Sequence, residues 1–208
     1  MSTYRYWQNI VNKFIGYSKR NFTIYGLPAW HEEAGTINVI CIRNNDENSF
    51  NDVIRNNDIL IVIENMPSDS FRLYEYEVTA DPSRKKPGIA HLCEGAYNSY
   101  VVRPHRWIAG RTALCQDTGE VRVFRTNSQG KIMPARSAGG HYEWGYFGIN
   151  VHDTGGFWNS SLGCIILEDL KLYRDEFKPL LLRAKEIHKK LGLNFSLFVI
   201  NHKTLKTL

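Results

Sequence analysis

Two side chains in one stretch of this sequence have the types and spacing for covalent chemistry. Within Gly145 to Leu167, GYFGINVHDTGGFWNSSLGCIIL, an apolar run delivers His152 to its end. A loop rich in Gly, Asn and Ser follows, and Ser161-Leu162-Gly163-Cys164 then turns directly into a second apolar run. Adjacent strand ends joined in this way let an imidazole and a thiol meet across the loop. The thiol is the candidate nucleophile, because a group with a reference pKa of about 8.5 needs only modest help from a nearby base to form thiolate at neutral pH. Gly163, lacking a side chain, lets a substrate backbone come close, and the N–H groups of Gly163 and Cys164 can together point at the oxygen of a tetrahedral intermediate. On residue types and spacing alone, the pair reads equally well as a cysteine opening one buried strand and a histidine ending another.

The wider pattern, H-x-x-G followed by S-x-G-C and an apolar strand, resembles the catalytic signature of the L,D-transpeptidase catalytic-domain family. In this resemblance His152 matches the catalytic histidine, Gly155 the glycine three residues on, Ser161 the serine, Gly163 the glycine and Cys164 the nucleophile. Upstream, Thr79-Ala80-Asp81-Pro82, Gly95-Ala96-Tyr97, Ala113 to Gln116 and Val121 to Arg125 are similar in order to uncharacterised phage and prophage proteins that carry the same segment. The resemblance implies a mainly β (α+β) fold with a β-sandwich body, an N-terminal helix and a C-terminal helical segment. It also implies a peptidoglycan-modifying cysteine acyl-transfer enzyme with no cofactor and no metal, whose partners are peptidoglycan stem peptides. Cleavage would be L,D-carboxypeptidase or endopeptidase chemistry; exchange of stems through the same thioester would be transpeptidation.

The chain departs from the family pattern twice, with Leu162 where His is usual and Ile166 where Arg is common. Without that Arg, another cation must orient the substrate, and Arg125, Arg122 and Arg111 are the candidates on neighbouring strands. Tyr146 and Trp158 are expected to wall the groove, with His141, Tyr142, Trp144 and Phe157 near them. Strand alternation turns Asp153 away from His152, so a backbone carbonyl or a residue of another strand should orient the imidazole, and Asp153 reads as a loop acid. His91 and His105 read as ordinary histidines.

The elements that must hold these groups follow from periodicity. Tyr6, Trp7, Ile10, Val11, Phe14 and Ile15 make the stripe of a docking helix within residues 1–20. A β-rich body spans 35–167, with strands expected at Asn38–Arg43, Ile59–Glu64, Phe71–Thr79, Ser99–Arg103, Thr112–Gln116, Val121–Arg125, Tyr146–Val151 and Gly163–Leu167. Asn44 to Asp58 reads as a turn-rich loop around a short segment at Phe50–Ile54. Over 168–208, Leu170, Tyr173, Phe177, Leu180, Leu181, Ala184, Ile187 and Leu191 share one helical face that Gly192 ends. Pro179 must kink this helix or open a second one, and Phe195–Ile200 is a last strand.

Composition bounds the alternatives. The chain has 208 residues, 43% hydrophobic and 23% charged, which suits a single folded domain, residues 1–208. Its longest apolar runs fall far short of a membrane span, so no membrane insertion is expected. The N-terminus lacks a continuous apolar h-region, and the expectation is a chain made and first held in the cytoplasm, with the cell wall or periplasm as its site of action. Cys41, Cys93, Cys115 and Cys164 form no C-x-x-C pair, which argues against a structural zinc site. The net charge of +5 gathers beyond Leu170 on a helical pattern that reads as a solvated face, so nucleic acid is not an expected partner. A zinc peptidase using His141, His152 and a carboxylate would leave Cys164 idle. A wall-binding or structural phage module that kept the fold and lost catalysis is the main alternative, favoured by Leu162 and Ile166.

Overall fold

A computed structural model describes residues 3–21, 30–44, 57–80, 88–105, 110–125, 142–154 and 163–208. In chain order its elements are helix α1 (Thr3–Asn21) and strands β1 (Ile37–Arg43), β2 (Asp58–Met66), β3 (Ser70–Thr79), β4 (Ala90–Leu92), β5 (Gly95–Pro104), β6 (Thr112–Gln116), β7 (Val121–Arg125), β8 (Tyr142–Gly145), β9 (Val151–Asp153) and β10 (Ile165–Leu167). Helix α2 (Leu170–Leu172), a π-helical stretch Tyr173–Phe177, helix α3 (Lys178–Leu191), strand β11 (Phe195–Asn201) and helix α4 (His202–Thr207) follow. The chain is therefore mainly β, with helices at both ends.

The apolar run 39–42 of β1 is what a strand covered on both faces requires. Val39 and Cys41 enter the interior cluster, whereas Ile40 and Ile42 lie under α1, which docks through Ile10, Val11 and Phe14. Where the resemblance implies a sandwich, the main sheet closes on itself in the order β1-β11-β5-β6-β9-β10-β3-β2. Closure is made by β9, which pairs with β6 through Leu114 and Val151 and runs parallel to β10; β10 then pairs with β3. A barrel leaves none of these strands with an unpaired edge. A second sheet, β4-β7-β8, presses Ala90, Leu92, Val121 and Val123 onto the barrel's core cluster.

The C-terminal helical segment starts at Asp169, whose side chain accepts hydrogen bonds from Lys171 N and Leu172 N as an N-cap. Pro179 stands in the first turn of α3, after the π-helical stretch, so it opens a helix without breaking one. Phe177, Leu180, Leu181 and Ala184 join the barrel's core, and Gly192 ends α3 in the left-handed conformation with φ 68°. His188 of α3 accepts from Ile37 N at Nε2 and bonds Asn194 O through Nδ1, with its ring stacked on Phe195. Burial lowers its pKa to about 4. It is a neutral pin between helix and barrel.

Three expectations change. Residues 146–150 are not a strand, and β9 is confined to Val151–Asp153. β5 begins at Gly95, four residues before the expected Ser99 start. Strands β4 and β8 were not read from the sequence, being three and four residues long. The Phe50–Ile54 segment lies outside the described residues.

Candidate active site

Cys164 stands just before β10, and Gly163 determines how it gets there. Gly163 has φ +133°, and a Cβ on it would lie 2.5 Å from Ala90 O of β4. Only glycine accepts both that backbone and that approach. The thiol then rests against the segment leading into β9: Asn150 N–H donates to Sγ at 3.4 Å, and the thiol donates to Gly148 O at 3.6 Å. Both distances are within the range for sulfur. Cys164 is the one cysteine of the four that is partly exposed. Burial pushes the Cys93 and Cys115 thiols up to about 11.

His152 lies in β9, where it is the register partner of Ile166. Cys164 precedes Ile166 by two residues and lies just outside β10, whose first residue, Ile165, donates its N–H to Asn150 O at 2.9 Å. His152 Nδ1 is 2.5 Å from Asp153 O. A carbonyl only accepts, so Nδ1 carries a proton, and in the neutral ring Nε2 then holds the lone pair that a base needs.

Asp153 is therefore not a loop acid. It is buried at the end of β9, where Arg111 bonds its carboxylate, Nη2 to Oδ1 at 3.2 Å and Nε to Oδ1 at 3.4 Å. The same guanidinium reaches Asp153 O at 3.5 Å. An ion pair thus steadies the carbonyl against which the imidazole Nδ1 rests, the first of the two expected alternatives, a backbone carbonyl or a residue of another strand.

Three residues that the sequence reading did not single out as site residues complete the surroundings. His105, at the end of β5, stacks on His152 with ring centroids 4.0 Å apart and planes at 26°. Asn150 bonds His105 Nδ1 through Nδ2 at 3.2 Å while its Oδ1 accepts from Gln116 N at 3.0 Å. The Gln116 side chain donates to Gly119 O and Gly145 O, and its Oε1 accepts from Phe147 N, Gly148 N and Ile149 N. One amide thus replaces the ladder that residues 146–150 lack and fixes the backbone on which the sulfur rests. Asn150 lies two residues before His152, a same-face spacing visible in the sequence, whereas nothing local announces His105 or Gln116.

The candidate cations are all engaged. Arg125 pairs with Glu143 at 3.0 Å, donates to Gly88 O and lies over the Phe147 ring. Arg122 is buried, donates to Glu94 O and lies over Tyr142, and Arg111 holds Asp153. Tyr146 is 65% exposed. Ser161, Gly155 and Trp158, with His141, Phe157 and Leu162, lie outside the described residues. Among the described residues there is no cluster of three metal-ligating side chains, and no helix is long and apolar enough to cross a membrane.

Compared with known proteins, the chain matches no family model and no curated protein, so what the site can do is read from its own residues.

Proposed function

We propose that this chain is a peptidoglycan-modifying cysteine acyl-transfer enzyme related to the L,D-transpeptidase catalytic domains. The observation that carries the reading is the setting of the thiol on the backbone that leads into His152. The one partly exposed thiol of the chain rests on the backbone two residues before a histidine whose Nδ1 proton is committed to a carbonyl. In this reading His152 Nε2 takes the Cys164 proton and the sulfur attacks a peptide carbonyl of a stem peptide. The negative oxygen is met by N–H groups at Gly163 and Cys164. Collapse of the tetrahedral intermediate breaks the C–N bond, and His152 returns the proton to the departing amine. Water then hydrolyses the thioester, giving carboxypeptidase or endopeptidase activity, or a second stem amine takes the acyl group and forms a cross-link. The wall is the site of action on this reading.

The test is incubation of muropeptides and intact peptidoglycan with the full chain and with Cys164→Ala. Wild type should remove a terminal D-residue, cleave a cross-link or form one, and the variant should lose at least about a thousandfold in rate. An unchanged mass profile with wild type refutes the enzyme. One observation favours the non-catalytic module: Arg111, Arg122 and Arg125, the cations expected to orient the acyl donor, all have internal partners. Sacculus binding that survives in Cys164→Ala, with no turnover by wild type, would select that module.

A further inference from the structure

We infer that His105 is a positioning residue for His152, and that Asn150 ties this second imidazole to Cys164. The inference rests on the reading of His152 as the base for Cys164, and not on the identity of the substrate. The chain of hydrogen bonds settles the protonation of His105. Because Asn150 Oδ1 accepts from Gln116 N–H, the amide group facing His105 is the Nδ2 donor. His105 Nδ1 must then accept, so the ring is neutral and its proton sits on Nε2. A charged His105 would set donor against donor at 3.2 Å.

Neutrality matters because of the stack. With centroids 4.0 Å apart, His105 covers one face of the His152 ring, while Asp153 O holds its Nδ1 edge. The two contacts together restrict rotation of the His152 ring about its outer torsion, which aims Nε2. When the proton leaves Cys164 Sγ for His152 Nε2, the new imidazolium lies against a neutral π face and not against a like charge. Asn150 makes the arrangement a unit, since its side chain holds His105 and its backbone N–H donates to Cys164 Sγ. That N–H donates to thiol and thiolate alike, whereas Gly148 O can accept only from the thiol.

The experiment measures the rate of Cys164 alkylation by iodoacetamide on the full chain, by mass spectrometry across pH 5 to 9 on the order of one unit per step. His152→Ala, His105→Ala, His105→Phe and the double alanine variant are compared with wild type. His105→Ala should slow alkylation near neutral pH by roughly tenfold or more, and His105→Phe, which keeps a ring, should recover to within about threefold of wild type. In the His152→Ala background, removal of His105 should change nothing further, because it acts through His152. Loss of less than about twofold in His105→Ala, or equal slowing with and without His152, overturns the inference. If His152→Ala itself leaves alkylation unchanged, the base reading fails and this inference with it; if only His105→Ala is silent, this inference fails alone. Because His105 is buried, imidazole nitrogen shifts of the unmodified protein give a second, substitution-free measurement. They should report His105 protonated at Nε2 alone and His152 at Nδ1 alone, and the opposite tautomer at His105 overturns the proposal.

Discussion

Strands β2 and β3 share nine paired residues, whereas β10 shares two with β3 and three with β9, and β9 meets β6 through a single pair. On the long-ladder side, backbone hydrogen bonds and apolar burial on both faces of β1 and β2 do the holding. On the site side, side chains take over: Gln116 satisfies the backbone of 147–149, Asn150 joins β6 to β5, and Arg111 anchors Asp153. A regular ladder would send alternate side chains to opposite faces. Breaking it at 146–150 lets the backbone N–H of Asn150 and the carbonyl of Gly148 turn toward a sulfur. Irregularity here is the means by which polar groups gather at one place.

The contrast can be broken most severely at Gly163. Gly163→Ala adds a methyl 2.5 Å from a backbone oxygen in a left-handed conformation, and should cost about 3 to 5 kcal/mol of unfolding free energy, measured by urea titration. Stability within error of wild type would show that the two sheets are not closely locked there. Acid probes the opposite side. His188 has an unfolded pKa near 6.5 and a folded one of about 4, so both states leave it neutral above the higher value and its stabilisation is fully present there. As pH falls from 6.5 to 4 the unfolded state takes up the proton first, and stability should drop by about 3 kcal/mol in total. Burial and the nearby His31 are the causes of the shift, and His188→Gln should flatten this part of the profile. An equal slope in wild type and variant would assign the loss elsewhere.

Gln116→Ala sharpens the comparison, since it should cost only about 2 kcal/mol in stability, most of the groups it serves being partly exposed, yet slow Cys164 alkylation by roughly tenfold or more. Unchanged thiol reactivity would mean that the 146–150 backbone holds its own shape. The smallest effect is expected at Arg183, whose pair with Glu64 leaves the guanidinium half exposed at 54%. Arg183→Ala should cost less than about 1 kcal/mol and leave the thiol untouched.

Regular strands and the core-facing helix were the parts the sequence made legible. Phe71 to Thr79 alternates and forms β3 with one face open, and Thr112–Gln116 and Val121–Arg125 are strands with the expected ends. The stripe through Phe177, Leu180, Leu181 and Ala184 lies in the core, as its spacing requires. Tyr146 to Val151 misled for a definite reason. Its apolar content suits a strand, but its N–H groups find Gln116 Oε1, thirty or so positions earlier in the chain, which no local pattern can register. His105 was likewise invisible, because a lone histidine gains meaning only from the ring it stacks on.

What the amino-acid order determined alone is a mainly β body with amphipathic helices at both ends, and a His152 and Cys164 delivered to the starts and ends of neighbouring apolar runs. Those are consequences of side-chain periodicity and of glycine's freedom, which act within a few residues. Only the tertiary structure decided that the sheet closes into a barrel, that Arg111 steadies the carbonyl behind His152, and that Gln116 and Asn150 shape the backbone beneath the sulfur. Each of these depends on contacts between residues more than thirty positions apart, made when the chain pays its conformational entropy and polar groups must find partners wherever folding has brought them.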